Sequence, residues 1–319
     1  MKSYLNTRLP QHLLVSLLSI TLAAGYSAIP AEGKSIISRK IAYGGMESQL
    51  KDQGRSRTYY LYTPSSYHSH RPMPLVLVFH GHGGSGRSIA HVSRFNTLAE
   101  QKGFIVAYPD GINQEWSIGG NSKTRINDVS FTTALIDHVQ HIRNIDSHRI
   151  YATGFSKGAI LAQALACKLP NKIAAFSSVA GALPVHLKSN CQPPTAVSML
   201  MINGTNDQSV PYHGEDPQRR GALSSVPATV SFWKAHDGCP SSAEIQQISD
   251  SSSSDLKVKI SRYASCRSGS EVLLASVVGG GHFWPGGVSS DTSINRLNNK
   301  LGFSASRTSW NFFNRHTLP

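Results

Sequence analysis

The chain has 319 residues, 39% of them hydrophobic, which is the composition of a globular protein with a full core. Its formal net charge of +13 raises the question of a nucleic-acid ligand. The Lys and Arg residues are scattered, with no basic block and no interleaved aromatic residues, so we expect no nucleic acid as a partner. The charge predicts at most a weak affinity for anionic surfaces.

The N-terminus has the layout of a secretory signal peptide. Lys2 and Arg8 precede an apolar run over 13–24, and small residues follow it up to Ala31. This run is too short for a comfortable membrane span, so we expect residues 1–31 to be removed, with cleavage left open between Ser27 and Ala31. An uncleaved anchor is the alternative. After cleavage we expect no membrane association and an exported product, either extracellular or periplasmic.

Strand-like and helix-like segments alternate through the remaining residues, 32–319. Alternation of this kind predicts a doubly wound, mostly parallel sheet in a single α/β domain. The predicted strands are 57–62, 75–79, 104–108, 149–154, 174–179, 199–202, 257–263 and 271–278. The predicted helices are 89–102, which ends at Gly103, then 128–143, one that follows Ser156, 226–236 and 304–316.

The sequence Gly154-Phe155-Ser156-Lys157-Gly158 stands where a strand gives way to a helix. This Gly-x-Ser-x-Gly context is that of a nucleophile elbow, a sharp turn that lifts the serine hydroxyl above the sheet. The new helix also directs its free amides and dipole at the serine, where negative charge would develop. We therefore predict Ser156 as a catalytic nucleophile.

A serine nucleophile needs a base, and the base needs an orienting acid. Asp207 follows the predicted strand 199–202, so it should lie at the carboxyl edge of the sheet, where such sites collect. Asp216 is the rival acid. His282 follows three glycines after the last predicted strand and is our predicted base.

The oxyanion of an acyl-transfer intermediate needs amide donors. The predicted strand 75–79 leads into a glycine-rich loop over 80–86, which suits that role. We predict the backbone amides of His82 and Lys157 as the donors. His80 and His82 lack an accompanying carboxylate and make a poor metal site, so we expect no metal and no cofactor.

Three aromatic residues fall in loops at the predicted active edge, namely Trp116, Tyr212 and Trp284. They could form an apolar groove for an acyl or aryl group, and we predict them as substrate-binding residues. The alternative is that the two indoles only cap the core.

Four cysteines fit an exported chain with two disulfides. Three connectivities are possible, and sequence proximity favours Cys167–Cys191 and Cys239–Cys266.

Taken together, the motifs resemble one family of α/β-hydrolase esterases, which includes polyhydroxybutyrate depolymerases and feruloyl or acetylxylan esterases. The similarity runs from about Tyr43 to Trp310. It is carried by the segments Leu75-Val76-Leu77-Val78-Phe79-His80-Gly81, Gly103-Phe104-Ile105-Val106-Ala107-Tyr108-Pro109-Asp110-Gly111, Tyr151-Ala152-Thr153-Gly154-Phe155-Ser156, Gly204-Thr205-Asn206-Asp207 with Val210-Pro211-Tyr212, and Gly280-Gly281-His282-Phe283-Trp284-Pro285-Gly286.

The resemblance implies a triad of Ser156, Asp207 and His282, and a disulfide between Cys239 and Cys266. It also implies that Trp116 and Trp284 lie near the substrate. Lys157 departs from the family, which carries a small or amide residue there, and its cation would favour acidic substrates or alter the pocket. A second departure is the absence of a linker and polymer-binding domain, which argues against crystalline polyester as substrate.

We therefore expect a secreted serine esterase that needs no cofactor. Its partner would be an ester substrate, either 3-hydroxybutyrate polyester or oligomers, or feruloyl-type esters of polysaccharide. The sequence leaves two alternatives, a serine peptidase on the same fold and a non-catalytic exported binding protein. It does not determine the oligomeric state.

Overall fold

The computed structural model describes residues 44–118, 126–215, 221–249 and 257–319. The predicted signal peptide and the rival acid Asp216 lie outside the described residues. Among the described residues, no helix is long and apolar enough to cross a membrane.

The described strands and helices follow the predicted alternation. The strands are β1 (Met46–Asp52), β2 (Arg55–Tyr62), β3 (Met73–Phe79), β4 (Ile105–Pro109), β5 (Ile145–Phe155), β6 (Ala175–Val179), β7 (Ser198–Gly204), β8 (Glu244–Ser249), β9 (Lys257–Tyr263) and β10 (Val272–Val278). The helices are α1 (Gly86–Ser93), α2 (Phe95–Lys102), α3 (Asp128–Ile142), α4 (Lys157–Lys168), α5 (Val185–Lys188), α6 (Val226–Asp237), α7 (Thr292–Lys300) and α8 (Ala305–Phe313).

The described strands form one sheet in the order β1-β2-β4-β3-β5-β6-β7-β10-β9-β8. The six strands from β4 to β10 in this order are parallel to their neighbours. Antiparallel strands extend both edges, β2 and β1 on one side and β9 and β8 on the other. The mostly parallel α/β sheet of the prediction is confirmed, and all carboxyl ends of the six central strands meet at one edge.

Helices cover both faces of the sheet, so its central strands are buried on both sides. In β3 every side chain is buried; Leu75, Leu77 and Phe79 belong to one core and Val76 and Val78 to the other. The first core is completed by side chains of α3, α4 and α6, and the second by side chains of α1, α2 and α8. This explains why β3 reads as a continuous apolar run.

The single helix predicted over 89–102 is wrong, because the structure breaks it into α1 and α2 at Arg94, whose φ is 57°. The carbonyl groups at the end of α1 have partners outside the helix. Val92 accepts a hydrogen bond from the Val288 amide, and Ser93 accepts one from the Ser306 hydroxyl. These distant partners replace helical ones and end α1. Gly103 terminates α2 in the left-handed conformation, as its position predicts.

The sequence prediction also missed the two outermost strands, β1 and β8, and the helices α5 and α7. Most side chains of β1 are exposed or half-buried. A polar edge strand lacks the apolar pattern by which strands are recognised.

Two disulfides lie at the borders of the helical layers. Cys167–Cys191 joins the end of α4 to the segment after α5, and Cys239–Cys266 joins the segment after α6 to the turn between β9 and β10. These are the two pairs that sequence proximity favours. No free cysteine is present among the described residues.

Candidate active site

Ser156 lies at a strained turn between β5 and α4. Its φ of 53° and ψ of −114° are rare for a residue with a side chain, and such strain is concentrated at functional sites. Close approach of the backbone requires the two flanking glycines. A Cβ on Gly154 would lie 2.3 Å from the Gly158 carbonyl, and one on Gly158 would lie 2.3 Å from the Phe79 carbonyl oxygen. The elbow geometry expected from the motif is therefore present.

The helix α4 begins directly after Ser156, so its first backbone amides lie next to the serine. The Ser156 carbonyl accepts a hydrogen bond from the Ile160 amide, whereas the Lys157 amide belongs to the first turn, whose N–H groups have no intrahelical partner. The Lys157 amide is thus available as a donor beside the hydroxyl. The Lys157 side chain is exposed.

Asp207 and His282 meet at the carboxyl edge of the sheet. His282 Nδ1 lies 2.7 Å from Asp207 Oδ2, and Asp207 is buried. The other carboxylate oxygen accepts hydrogen bonds from the amides of Ser209 and Val210, each 2.8 Å long. These hydrogen bonds fix the orientation of the carboxylate, and its Oδ2 atom accepts the hydrogen bond from the imidazole.

Gly204, at the end of β7, allows this meeting. A Cβ there would lie 2.3 Å from the Gly280 carbonyl oxygen and 2.5 Å from that of Gly281. Any larger residue would hold the loop of the acid away from the loop of the base. The Asn206 amide also donates to the Gly280 carbonyl, with a length of 2.8 Å, and fastens the two loops together.

The imidazole of His282 contacts the ring of the residue before the nucleophile in a tilted arrangement. The ring centroids of His282 and Phe155 are 4.9 Å apart. Within the described residues, the Ser156 hydroxyl makes no hydrogen bond to His282. In unliganded enzymes this catalytic hydrogen bond often tightens only when substrate is bound.

The glycine-rich loop after β3 approaches the nucleophile from the other side. A Cβ placed on Gly81 would lie 3.1 Å from the Phe155 ring and 3.4 Å from the Ser156 Cβ. The next residue, His82, is therefore adjacent to the elbow, and its exposed side chain pairs with Glu115. The glycine-rich loop therefore lies beside the elbow, and the role of the His82 and Lys157 amides as oxyanion donors stays a prediction.

The two tryptophans predicted to bind substrate are buried. Trp116 packs edge-to-face on Phe79 and donates its indole N–H to the His80 carbonyl, at 2.8 Å. Trp284 donates its own to the Ser306 hydroxyl, at 3.0 Å. Both rings have a packing role in the structure, and their contact with substrate stays a prediction.

Tyr212 is half-buried and shares a 2.8 Å hydrogen bond between its hydroxyl and that of Ser276. Its predicted contact with substrate is likewise open.

A small aliphatic cluster, which the sequence did not single out, adjoins the elbow. It consists of Ile160, Ala182, Val210 and Leu223. Ile160 lies one helical turn after Ser156, and Val210 donates its amide to Asp207. Apolar residues in these four separate segments give no local signal that they converge.

The described residues contain no group of three or more His, Cys, Asp or Glu side chains arranged to hold a metal ion. His80 is buried, and burial lowers its pKa, so its imidazole is neutral at physiological pH.

Comparison with known proteins identifies the family of the chain. The family model described as "Esterase PHB depolymerase" matches residues 57–210. The protein NocK of Nocardia uniformis subsp. tsuyamanensis, which is named provisionally as an esterase, is 30% identical over 250 residues, covering 73% of this chain and 72% of NocK. Feruloyl esterase D of Neurospora crassa is 26% identical over 325 residues, covering 98% of each chain.

Among solved structures, the acetyl xylan esterase from Aspergillus awamori superposes with a TM-score of 0.55 at 18% identity, covering 80% of this chain and 98% of that one. A likeness at this identity establishes the α/β-hydrolase fold. The relatives and the nucleophile elbow together make the protein a serine carboxylic ester hydrolase. The chain belongs to the esterase family that includes the polyhydroxybutyrate depolymerases and the feruloyl esterases.

Proposed function

We propose that this protein is an exported esterase whose catalytic triad is Ser156, His282 and Asp207. The observation that carries the proposal is the 2.7 Å contact between His282 and the buried Asp207, beside a serine held at a φ of 53°. Nucleophile, base and orienting acid come from three separate loops at the same edge of the sheet, as the triad requires.

In acylation, the Ser156 Oγ forms a bond to the carbonyl carbon of the ester while its proton passes to His282 Nε2. The carbonyl electrons move to oxygen, and the resulting oxyanion accepts hydrogen bonds from the His82 and Lys157 amides. Asp207 accepts the Nδ1–H of His282 and stabilises the imidazolium. Collapse of the intermediate breaks the bond to the alcohol oxygen, which takes the proton from His282 and leaves as the alcohol.

Deacylation repeats the steps with water. His282 takes a proton from water, the oxygen of water bonds to the acyl carbon, and the same two amides hold the oxyanion. The bond to Ser156 Oγ then breaks and His282 returns the proton to it. The carboxylic acid leaves and the free serine is restored.

The proposed substrates are feruloyl or acetyl esters of polysaccharide. The name of feruloyl esterase D, which matches along nearly its whole length, supports this class. A second candidate is 3-hydroxybutyrate oligomers. The match of residues 57–210 to the family model described as "Esterase PHB depolymerase" supports it.

Export is supported by the sequence pattern of residues 1–31 and by the two disulfides, which persist in oxidising compartments. N-terminal sequencing of protein secreted by the native host would test it. A mature N-terminus between residues 28 and 32 is expected.

The first experiment is an ester panel on wild type and Ser156→Ala. The panel contains p-nitrophenyl acetate and butyrate, methyl ferulate and 3-hydroxybutyrate oligomers. We expect wild type to cleave at least one of them and Ser156→Ala to lose about 10⁵-fold or more in kcat. The matched control is Ser147→Ala, an exposed serine in the same strand β5, which should retain full activity.

Two other results would change the assignment. If no ester is cleaved and a fluorophosphonate fails to label Ser156, the protein is a binding protein on this fold. If peptide p-nitroanilides are cleaved faster than every ester, it is a peptidase. The ester with the highest kcat/KM identifies the substrate class.

A further inference from the structure

His80 is buried beneath the candidate oxyanion site and has no direct part in the triad. One of its ring nitrogens, Nε2, lies 2.9 Å from the Gly111 amide, and the other, Nδ1, lies 2.7 Å from the Gly81 carbonyl oxygen. An amide can only donate, so Nε2 must be the unprotonated acceptor. The neutral imidazole therefore carries its proton on Nδ1 and donates it to the Gly81 carbonyl.

This contact sets the direction of the next amide. A trans peptide is planar, and its C=O and N–H groups point in opposite directions. When Nδ1–H of His80 holds the Gly81 carbonyl on the core side, the N–H of His82 is turned to the opposite side. A Cβ on Gly81 would lie 3.4 Å from the Ser156 Cβ, so this peptide lies beside the nucleophile, where an oxyanion on the substrate would form.

The imidazole is held in turn by a second segment, which we name the support loop and define as Asp110–Ser117. The Gly111 amide of this loop donates to Nε2, and the Trp116 indole N–H donates to the His80 carbonyl. The indole also contacts the imidazole in a tilted arrangement, with ring centroids 4.6 Å apart. The support loop therefore fixes both the tautomer and the position of His80.

Three more contacts join the support loop to the glycine-rich loop over 80–86, and the first is the pairing of the His82 side chain with Glu115. The Gly83 amide donates to the Gln114 carbonyl at 3.1 Å, and the Gly86 amide donates to Asp110 Oδ1 at 2.7 Å. The support loop adopts a costly conformation to reach these partners, because Asn113 and Gln114 have φ values of 53° and 62°.

A buried ion pair anchors both ends of the support loop. Arg57 and Asp128 are 2.6 Å apart and almost fully buried. Arg57 also donates to the Asp110 carbonyl at 3.2 Å, and Asp128 accepts the Ser117 amide at 2.5 Å. The ends of the loop are thereby fixed to β2 and α3.

We propose that His80 is a positioning residue, which, held by the support loop, turns the His82 amide toward the oxyanion and keeps the oxyanion site formed before substrate binds. The proposal rests on the proposed function of Ser156. Its test therefore uses whichever ester wild type cleaves. If wild type cleaves none, the proposed function fails. If wild type is active and His80 variants behave as it does, only the present proposal fails.

Two substitutions test separately the two hydrogen bonds of the His80 imidazole, the one to the Gly81 carbonyl and the one from the Gly111 amide. In His80→Asn the side-chain amide nitrogen can replace Nδ1–H as donor to Gly81. In His80→Gln the longer side chain places its carbonyl near the Gly111 amide. The Gly81 carbonyl then loses its side-chain donor and keeps only the hydrogen bond from the Gly84 amide, 3.1 Å long. We expect His80→Gln to lose about 10- to 100-fold in kcat with KM changed less than about threefold, and His80→Asn to recover most of that loss.

A thionoester substrate distinguishes positioning of the oxyanion site from a purely structural role of His80, because a structural role would not change the relative rates of ester and thionoester cleavage. Its sulfur is a weak hydrogen-bond acceptor, so it gains little from the oxyanion site. The ratio of ester to thionoester kcat should therefore fall about tenfold or more in His80→Gln. Ser177→Ala, which removes a buried 2.8 Å hydrogen bond to Ser309 far from the loop, is the control and should keep the wild-type ratio.

Trp116→Phe covers the case in which the His80 variants do not fold. It keeps an aromatic ring but loses the indole N–H that binds the His80 carbonyl, and we expect the same ratio to fall severalfold. An unchanged ratio in Trp116→Phe and in every folded His80 variant would overturn the proposal.

Discussion

Three buried carboxylates among the described residues are paired with a histidine, namely Asp207, Glu271 and Asp237. The first two lie at opposite ends of the parallel strands and can be compared directly. Asp207 follows the carboxyl end of β7 and lies 2.7 Å from His282. Glu271 precedes β10 and lies 3.0 Å from His316. A buried acid–histidine pair is therefore not by itself evidence of catalysis. The difference lies in what else each carboxylate touches.

Glu271 is surrounded by cations. Arg315 donates to one of its oxygens, which also accepts from His316, and Arg262 donates to the other at 2.6 Å. Burial on its own raises the pKa of Glu271, but the hydrogen bonds from His316, Arg315 and Arg262 outweigh burial and bring it down to about 2. A serine hydroxyl does adjoin this pair, since Ser198 Oγ lies 3.1 Å from His316 Nδ1. Ser198 begins the strand β7, however, and does not lie at a strained turn like that of Ser156. The cluster fastens the segment after α8 to the sheet.

Asp207 has backbone amides in place of guanidinium groups. The Ser209 and Val210 amides orient it without adding a positive charge, so the charge that it can stabilise is that of His282. The comparison therefore predicts that changes at Asp207 affect the rate, whereas changes at Glu271 affect stability.

The largest expected effect is that of Asp207→Asn. The amide keeps the size of the side chain, but an NH₂ group facing Nδ1 would favour the wrong tautomer of His282. We expect kcat to fall by about 10⁴-fold with little change in Tm. Steady-state kinetics and thermal denaturation would check this. A loss under tenfold would show that Asp207 is not the orienting acid.

The second effect concerns the turn that precedes Glu271. Cys239–Cys266 joins this turn to the segment after α6 and encloses a sequence separation of 27 residues. Replacing both cysteines with serine should lower the free energy of unfolding by about 3 kcal/mol. Denaturant unfolding measures this, and kcat of the folded variant should stay within about threefold of wild type. The matched control is to replace the other disulfide, Cys167–Cys191, with two serines, because it closes a loop of similar length with a sequence separation of 24 residues.

The third effect is the pH dependence that Glu271 supplies. Its pKa in the folded protein is about 2, below the ordinary value of 4.5. The stabilisation is therefore complete above pH 4.5 and is lost as the pH falls toward 2. We expect Glu271→Gln to cost about 2 kcal/mol at pH 7, less than the full linkage value because Arg262 and Arg315 are partly exposed to solvent.

Unfolding of wild type and Glu271→Gln at several pH values would test this. The difference between them should shrink between pH 4.5 and the lowest pH at which both remain folded. A constant difference would contradict the role given to the carboxylate. The variant should keep its kcat at pH 7, in contrast to Asp207→Asn.

The sequence by itself determined the alternation of elements, because strand and helix signals are local. It also determined the elbow, since the glycines that flank Ser156 permit a close approach that any side chain would block. The pairing of four cysteines followed from proximity. The positions of Asp207 and His282 after strands sufficed to place both at one edge, because parallel strands share their carboxyl ends.

Contacts between residues that are distant in the sequence were determined only by the tertiary structure. Arg94 interrupts a helix-forming run because Val288 and Ser306 bind carbonyl groups at the end of α1. Trp116 and Trp284 look alike in the sequence as loop aromatics, yet each indole N–H has a buried acceptor that lies far away in the chain. The support loop and the tautomer of His80 likewise depend on contacts between separate segments, and no local pattern of residues encodes those contacts.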